Sequence, residues 1–275
     1  MKPTILLLVL LSMTAAALSA SISTPAVDRV IDKSDISGIM AKGSADTNKT
    51  DASEAISKAN ADSKTPLLYG DIKAPSTKNA VLCTSSTCRW PKYDRYVYVP
   101  VAISSQYTPT EQDIIIRALL TFHQSTCIRF VWRTTHRDYL YFFSGDGCWS
   151  LLGRQTGGQY VSLKKAGCLF QSTVQHEVLH ALGFHHEQVR SDRDQYVQIL
   201  YQNILSGQES NFQKTATNNL GTPYDFNSVM HYNKYAFSKN GQPTILAKSN
   251  PNLDFGRATN LSANDIARVN RLYQC

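Results

Sequence analysis

Residues 176–187 read His-Glu-Val-Leu-His-Ala-Leu-Gly-Phe-His-His-Glu, and the spacing inside this stretch decides most of what the chain must be. On a helix the four-residue step from His176 to His180 turns through about 400°, so both imidazoles share one face within about 6 Å. Two histidines so placed suit one tetrahedral zinc. Gly183 then permits a left-handed residue that ends the helix and turns the chain, returning His186 to the metal. Three protein ligands leave a fourth position for water, as a catalytic zinc requires and a closed structural site does not. Glu177, beside the first ligand, can reach that water without coordinating the metal. It is the candidate general base, taking the water's proton and passing it to the leaving amine of a cleaved peptide. His185 also lies in the stretch, but His186 has the spacing of the third ligand. A single histidine is ordinarily a satisfied core or polar residue; His123 and His136, without partners at metal spacing, keep that reading.

The flanking composition divides the 275 residues into three parts. Lys2, the apolar run Ile5 to Leu11 and the small residues Ala15 to Ala20 read as a secretory signal peptide over residues 1–20. About ten strongly apolar residues are too few for a bilayer that needs roughly 20, so no membrane anchor is expected and the protein should be secreted. Residues 21–78 are rich in Ser, Ala, Asp, Lys and Thr, with almost no aromatic residue before Tyr69, and so read as a weakly structured leader unable to build a core of its own. All six cysteines, three tryptophans and seven histidines lie beyond Asn79, which makes residues 79–275 one globular domain, long enough to bury a substantial core. That domain holds about 19 Lys and Arg against about 13 Asp and Glu, a balance that suggests acidic partners, and no basic run of the kind that marks a nucleic-acid surface. Six cysteines behind a signal peptide imply disulfides. Fifteen pairings are open in principle. Cys83 with Cys88 would close a small loop and Cys148 with Cys168 would flank a hairpin, leaving Cys127 for Cys275 by elimination.

Within the domain, Arg95 to Ile103, Cys127 to Trp132, Tyr139 to Phe143 and Tyr160 to Leu163 read as strands. Between the first two, Thr108, Pro109 and Glu111 mark a capped helix start, and Ile115, Ala118, Leu119 and Phe122 recur at helical spacing. A final helix starts at Ser262, with Asp265 three residues on and Ile266, Val269 and Tyr273 along one face. The order is α+β, without the alternating units of a Rossmann fold.

The zinc motif, with Glu187 behind its third histidine, and the downstream run Ser228-Val229-Met230-His231-Tyr232 resemble the astacin family of metzincin proteases. The resemblance covers nearly all of residues 79–275. It implies a two-lobed metzincin-like fold with a twisted, mainly parallel mixed sheet and the zinc helix at the floor of a cleft. It also implies one Zn2+ per subunit, Met230 beneath the site, and Tyr232 as a swinging metal ligand and donor to the oxyanion. A phenol near zinc suits that last role on physical grounds. The pairings Cys127–Cys275 and Cys148–Cys168 agree with the resemblance, and Cys83–Cys88 is similar to the six-cysteine fish astacins, which include hatching enzymes and nephrosin-like proteases. Two further segments, residues 190–194 and 218–225, look similar to hatching-enzyme sequences. His185 departs from the aromatic or Gln residue common in relatives, which should alter pH dependence near the zinc. The strand near Gly158 to Leu163 is expected to form the cleft edge, where an extended substrate adds by strand pairing.

Tyr69-Gly70-Asp71 resembles the aspartate switch of astacin propeptides, with Asp71 as an inhibitory zinc ligand. An open zinc must be blocked during export, and the leader has no cysteine for the purpose, which argues against a matrix-metalloprotease reading. Lys78-Asn79 is a basic site for a trypsin-like activating protease, and the resemblance implies that the new ammonium of Asn79 reaches Glu187. A silent extracellular zinc-binding protein is the reading from another class, and the presence of Glu177 argues against it. The expectation is therefore a monomeric, secreted zinc endopeptidase acting on extracellular proteins, egg-envelope glycoproteins if hatching-enzyme-like, with acidic residues favoured just after the scissile bond.

Overall fold

The computed structural model describes residues 28–37, 50–74 and 88–275. The predicted signal peptide, Lys78-Asn79 and Cys83 lie outside the described residues. In chain order the elements are α1 (Ala52–Asn60), β1 (Leu67–Leu68), β2 (Ile72–Lys73), β3 (Lys92–Tyr93), β4 (Tyr96–Ile103), α2 (Pro109–Ser125), β5 (Ile128–Trp132), β6 (Tyr139–Phe143), β7 (Cys148–Ser150) and β8 (Gly158–Leu163). They continue with the short α3 (Lys165–Cys168), α4 (Gln171–Ala181), β9 (Val197–Ile199), β10 (Ile245–Ala247) and α5 (Ala263–Tyr273).

Both helix starts read from the sequence are capping boxes. Thr108 accepts from Glu111 N while Glu111 reaches back to the Thr108 N–H, with Pro109 in the first turn, and Ser262 and Asp265 do the same for α5. The apolar face of α2, Ile115, Ala118, Leu119 and Phe122, is fully buried. It packs with Val97, Val99, Ile128, Phe130, Leu140, Phe142 and Val161 of the sheet and with Val174 and Val178 of α4. These alternating strand residues are the inward set that a period of two dictates.

The main sheet has eight strands in the order β1-β2-β7-β8-β6-β4-β3, with β5 paired to β4. Pairs β4–β5, β4–β6 and β6–β8 are parallel, while β7 runs antiparallel to β8. The expectation that the Gly158–Leu163 strand forms the cleft edge is thereby corrected. That strand, β8, lies between β6 and β7; leaving out the leader strands β1 and β2, the strand at this end of the sheet is the three-residue β7, which pairs on its outer side with β2 and is too short to announce itself in the sequence. A second core of Val197, Phe212, Tyr224, Tyr232, Ile245 and Phe255 builds the lower lobe around the β9–β10 pair. Val269 and Tyr273 of α5 join the first core, where the Tyr273 hydroxyl donates to Leu182 O, and Cys275 is disulfide-bonded to Cys127. The Cys148–Cys168 disulfide is also formed, whereas Cys83 lies outside the described residues.

The weakly structured leader is also corrected: its described residues are docked on the domain. Ala52, Ala55, Ile56 and Ile72 are buried, and Ile31 is 1% exposed. The leader's described residues form no core of their own, in keeping with their composition. Its few apolar side chains complete the domain's core instead. Asp51 caps α1, and Asp51 and Glu54 face Arg257 at 3.3 Å. Among the described residues no helix is long and apolar enough to cross a membrane.

Candidate metal centre

The 176–187 stretch folds as its spacing dictates. His176 and His180 project from the same face of α4, their ring centroids 4.7 Å apart. Gly183 has φ +103°, in the left-handed region, and its N–H donates to His180 O, closing the helix and swinging the chain back. His186 thus returns to 3.2 Å from His176, measured between the two Nε2 atoms.

The fourth member comes from the leader. Leu67–Leu68 and Ile72–Lys73 pair as a hairpin whose tip is Tyr69-Gly70-Asp71, with positive φ at Tyr69 (50°) and Gly70 (82°). A side chain at Gly70 would meet the Tyr232 hydroxyl and the Phe237 ring at 2.9 Å, so only glycine brings the tip this close. Asp71, 1% exposed, approaches His176 Nε2 at 3.0 Å, His180 Nε2 at 3.3 Å and His186 Nε2 at 3.1 Å.

These four donors fit a zinc ion. Ligand atoms at roughly 2.0–2.1 Å from a tetrahedral centre lie about 3.3 Å apart, close to the 3.0–3.3 Å separations found between Asp71 and the three imidazoles. The tautomers agree as well. His176 Nδ1 donates to Val229 O at 2.8 Å and His180 Nδ1 to Phe184 O at 2.7 Å, which turns both Nε2 lone pairs inward. Asp71 Oδ1 and His180 Nε2 are buried without a hydrogen-bond partner, as expected of atoms whose partner is a metal. Burial lowers the pKa of His180 and takes that of His186 down to about 4, favouring the neutral imidazole that coordinates. Burial alone would raise the Asp71 carboxyl; the imidazoles around it outweigh that and hold it well below the usual range.

Glu177 is fully buried on α4 with both carboxylate oxygens unpartnered. Burial, and then the negative charge of Asp71, push its pKa well above the ordinary carboxylate value. Tyr232 is buried at the lower rim of the centre, its ring 4.8 Å from that of His186, and its hydroxyl donates to Tyr69 O of the leader. Met230 is buried, its carbonyl accepting from Glu187 N. Asp265 of α5 accepts from Ser228 Oγ and Val229 N, fixing the turn whose carbonyl orients His176.

Glu187 stands apart from the metal donors. Its buried carboxylate accepts from Arg190, Arg268 and the Asp225 N–H, so two guanidinium groups already neutralise it. An ammonium arriving there would have to displace one of them or share Glu187 through water. His185 is not among the converging donors. Its ring lies edge-on to Tyr69 at 4.4 Å, and burial takes its pKa down to about 3. His123 is a structural acceptor for Phe130 N, and His136 pairs with Asp28.

One contributor escaped the sequence reading. Asn60, at the end of α1, accepts from Cys148 N at 2.7 Å and donates to Cys148 O at 2.7 Å and Gly70 O at 2.9 Å. Its carboxamide pairs with the β7 edge as a peptide group would, and Ser150 N two residues on donates to Asp71 O. Nothing distinguishes Asn60 in the sequence, because its role depends on a partner 88 residues away.

Comparison with known proteins identifies relatives. A family model described as Astacin, a peptidase family, matches residues 84–274. High choriolytic enzyme 1 of Oryzias latipes is 46% identical over 211 residues, covering 76% of this chain and 78% of the relative. Low choriolytic enzyme of the same fish is 43% identical over 228 residues, covering 82% and 84%. The solved structure of high choriolytic enzyme 1, a hatching enzyme zinc-protease, superposes with a TM-score of 0.69 over 72% of this chain and all of that one.

Proposed function

The chain belongs to the astacin family of zinc metalloendopeptidases, and from that premise we propose that it is a secreted protease made as a latent precursor and acting on extracellular protein, egg-envelope protein in particular. In this reading residues 1–20 are the signal peptide, 21–78 the propeptide and 79–275 the catalytic domain. The observation that carries it is Asp71, held at 3.0–3.3 Å from three imidazoles in the position a substrate's water would need. The egg-envelope assignment draws on the choriolytic enzymes, whose identity extends over most of both chains.

His176, His180 and His186 would hold the zinc, with Asp71 as a fourth ligand until the leader is removed. When bound, zinc acts as a Lewis acid that polarises the scissile carbonyl and makes water nucleophilic at neutral pH. Glu177 accepts the proton of the attacking water and delivers it to the departing amine nitrogen. Tyr232, freed from Tyr69 O, donates its hydroxyl proton in a hydrogen bond to the carbonyl oxygen as negative charge builds there. The β7 edge, freed from Asn60 and Asp71, pairs with the extended substrate backbone.

Two measurements test the reading together. The activated enzyme should begin at Asn79 after cleavage by a trypsin-like protease, and an uncut Asp71→Ala precursor should hydrolyse peptides that the parent precursor leaves intact. Activated enzyme should also solubilise isolated egg envelopes. A mature terminus far from Asn79, or an Asp71→Ala precursor as inert as its parent, overturns the latency; intact envelopes overturn the substrate.

A further inference from the structure

The leader docks at a second place, far from the zinc centre. One side of β5 pairs with β4, and its other side receives residues 29–31 in antiparallel register, Val30 opposite Val131. Trp132 N donates to Arg29 O at 3.1 Å, and Ile31 N to Phe130 O at 3.0 Å. Ile31 is buried in the main core. Further along, Trp132 Nε1 donates to Asp35 Oδ1 at 3.1 Å, and both Asp113 oxygens of α2 accept from Ser37, one from its N–H at 2.9 Å and one from its hydroxyl at 2.6 Å. A groove lined by Trp90, Tyr98, Pro100 and His136 continues past Asp28. None of these contacts involves the metal donors.

We propose that the outer edge of β5 is an exosite of the activated protease, which binds an extended segment of its protein substrate. This rests on the proposed removal of the leader. The segment now seated there states the chemistry required: two main-chain hydrogen bonds, an aliphatic side chain where Ile31 sits, a carboxylate four positions on and a hydroxyl two further. Main-chain pairing gives such a site its affinity, and the slot for the aliphatic residue gives it selectivity. Once vacated, the edge presents Phe130 O, Trp132 N and the Asp113 carboxylate, an unpaired strand of the kind that recruits another chain.

A substrate segment is the favoured occupant because the leader shows that one polypeptide spans both edges of this sheet. Residue 30 lies against β5 and residue 72 against β7. The path β7-β8-β6-β4-β5 covers four strand spacings, about 19 Å. An extended protein of similar length held at β5 would reach the cleft at a raised effective concentration, an advantage closed to a short peptide.

The test uses the full chain activated by trypsin and freed of leader, with a fluorescein-labelled peptide of residues 28–37 as probe. Anisotropy should show saturable binding. Ile31→Asp in the peptide should weaken it at least tenfold, and Asp113→Asn in the enzyme about fivefold. At saturation the peptide should slow cleavage of β-casein at least threefold and leave a six-residue quenched substrate unaffected. No saturable binding, equal slowing of both substrates, or slowing of neither would overturn the exosite. So would a dimer of the activated protein that the peptide dissociates, because the occupant would then be a second copy. Failure to cleave either substrate would overturn the protease reading itself, and the anisotropy result remains readable in that case.

Discussion

Replacing Asn60 by alanine should unlatch the precursor without touching the zinc donors. The Asn60 carboxamide makes three hydrogen bonds, at 2.7, 2.7 and 2.9 Å, to both peptide groups of Cys148 and to Gly70 O. A net hydrogen bond contributes about 0.5–1.5 kcal/mol, so three sum to about 3 kcal/mol at mid-range. The three share one carboxamide and do not add fully, which leaves about 2 kcal/mol, or roughly thirtyfold in the equilibrium between docked and released leader. The assay is hydrolysis of a quenched peptide by the uncut precursor, with Lys78→Gln in every variant to prevent activation. The Asn60→Ala precursor should leak activity about thirtyfold above its parent. Lys58→Ala, which removes only an exposed ion pair to Glu54 on the same helix, should leave latency unchanged. An Asn60→Ala precursor as silent as its parent would refute the claim that this side chain holds the edge closed.

Two further predictions concern the buried Tyr232 hydroxyl and a half-buried imidazole. In the activated enzyme Tyr232→Phe should lower kcat by about a hundredfold with KM within about twofold, because the phenol meets charge that exists only in the transition state; steady-state kinetics on one peptide decide it, and an effect confined to KM would remove Tyr232 from catalysis. His123 has its pKa taken down to about 4 by burial and, second, by Arg129, so the unfolded chain, with an ordinary value of 6.5, binds a proton first as pH falls. Stability is therefore full above about pH 6.5 and declines towards pH 4, by about 2 kcal/mol after allowance for the ring's partial exposure. His123→Gln should abolish this component, so thermal unfolding at pH 7 and 4.5 should show a smaller pH effect in the variant; equal slopes would contradict it.

The zinc stretch was legible because its meaning is local. A four-residue step on a helix and a glycine after it constrain where three imidazoles can point, and Gly183 has the left-handed φ of +103° that such a turn needs. The same holds for the capping boxes at Thr108 and Ser262, each closed within four residues. The strand order was not legible. Whether β8 or β7 forms the cleft edge depends on pairings between distant strands, and a three-residue strand has no periodicity to read. The leader was misread for a related reason. Ala52, Ala55 and Ile56 form too small an apolar face to predict a stable helix alone, and their burial is supplied by α3 and α4. Asn60 and the Arg190–Glu187–Arg268 cluster joined the account only once the fold brought distant residues together.

In the proposed mechanism one zinc, held by His176, His180 and His186, works with Glu177 as its proton acceptor. The most direct measurement is made on activated Glu177→Ala: zinc content by plasma emission alongside hydrolysis of a quenched peptide. The variant should hold one zinc per chain, as the parent does, with cleavage reduced at least a hundredfold. Cleavage at the parent's rate by a zinc-loaded Glu177→Ala enzyme, or a fully active parent that contains no zinc, would contradict it.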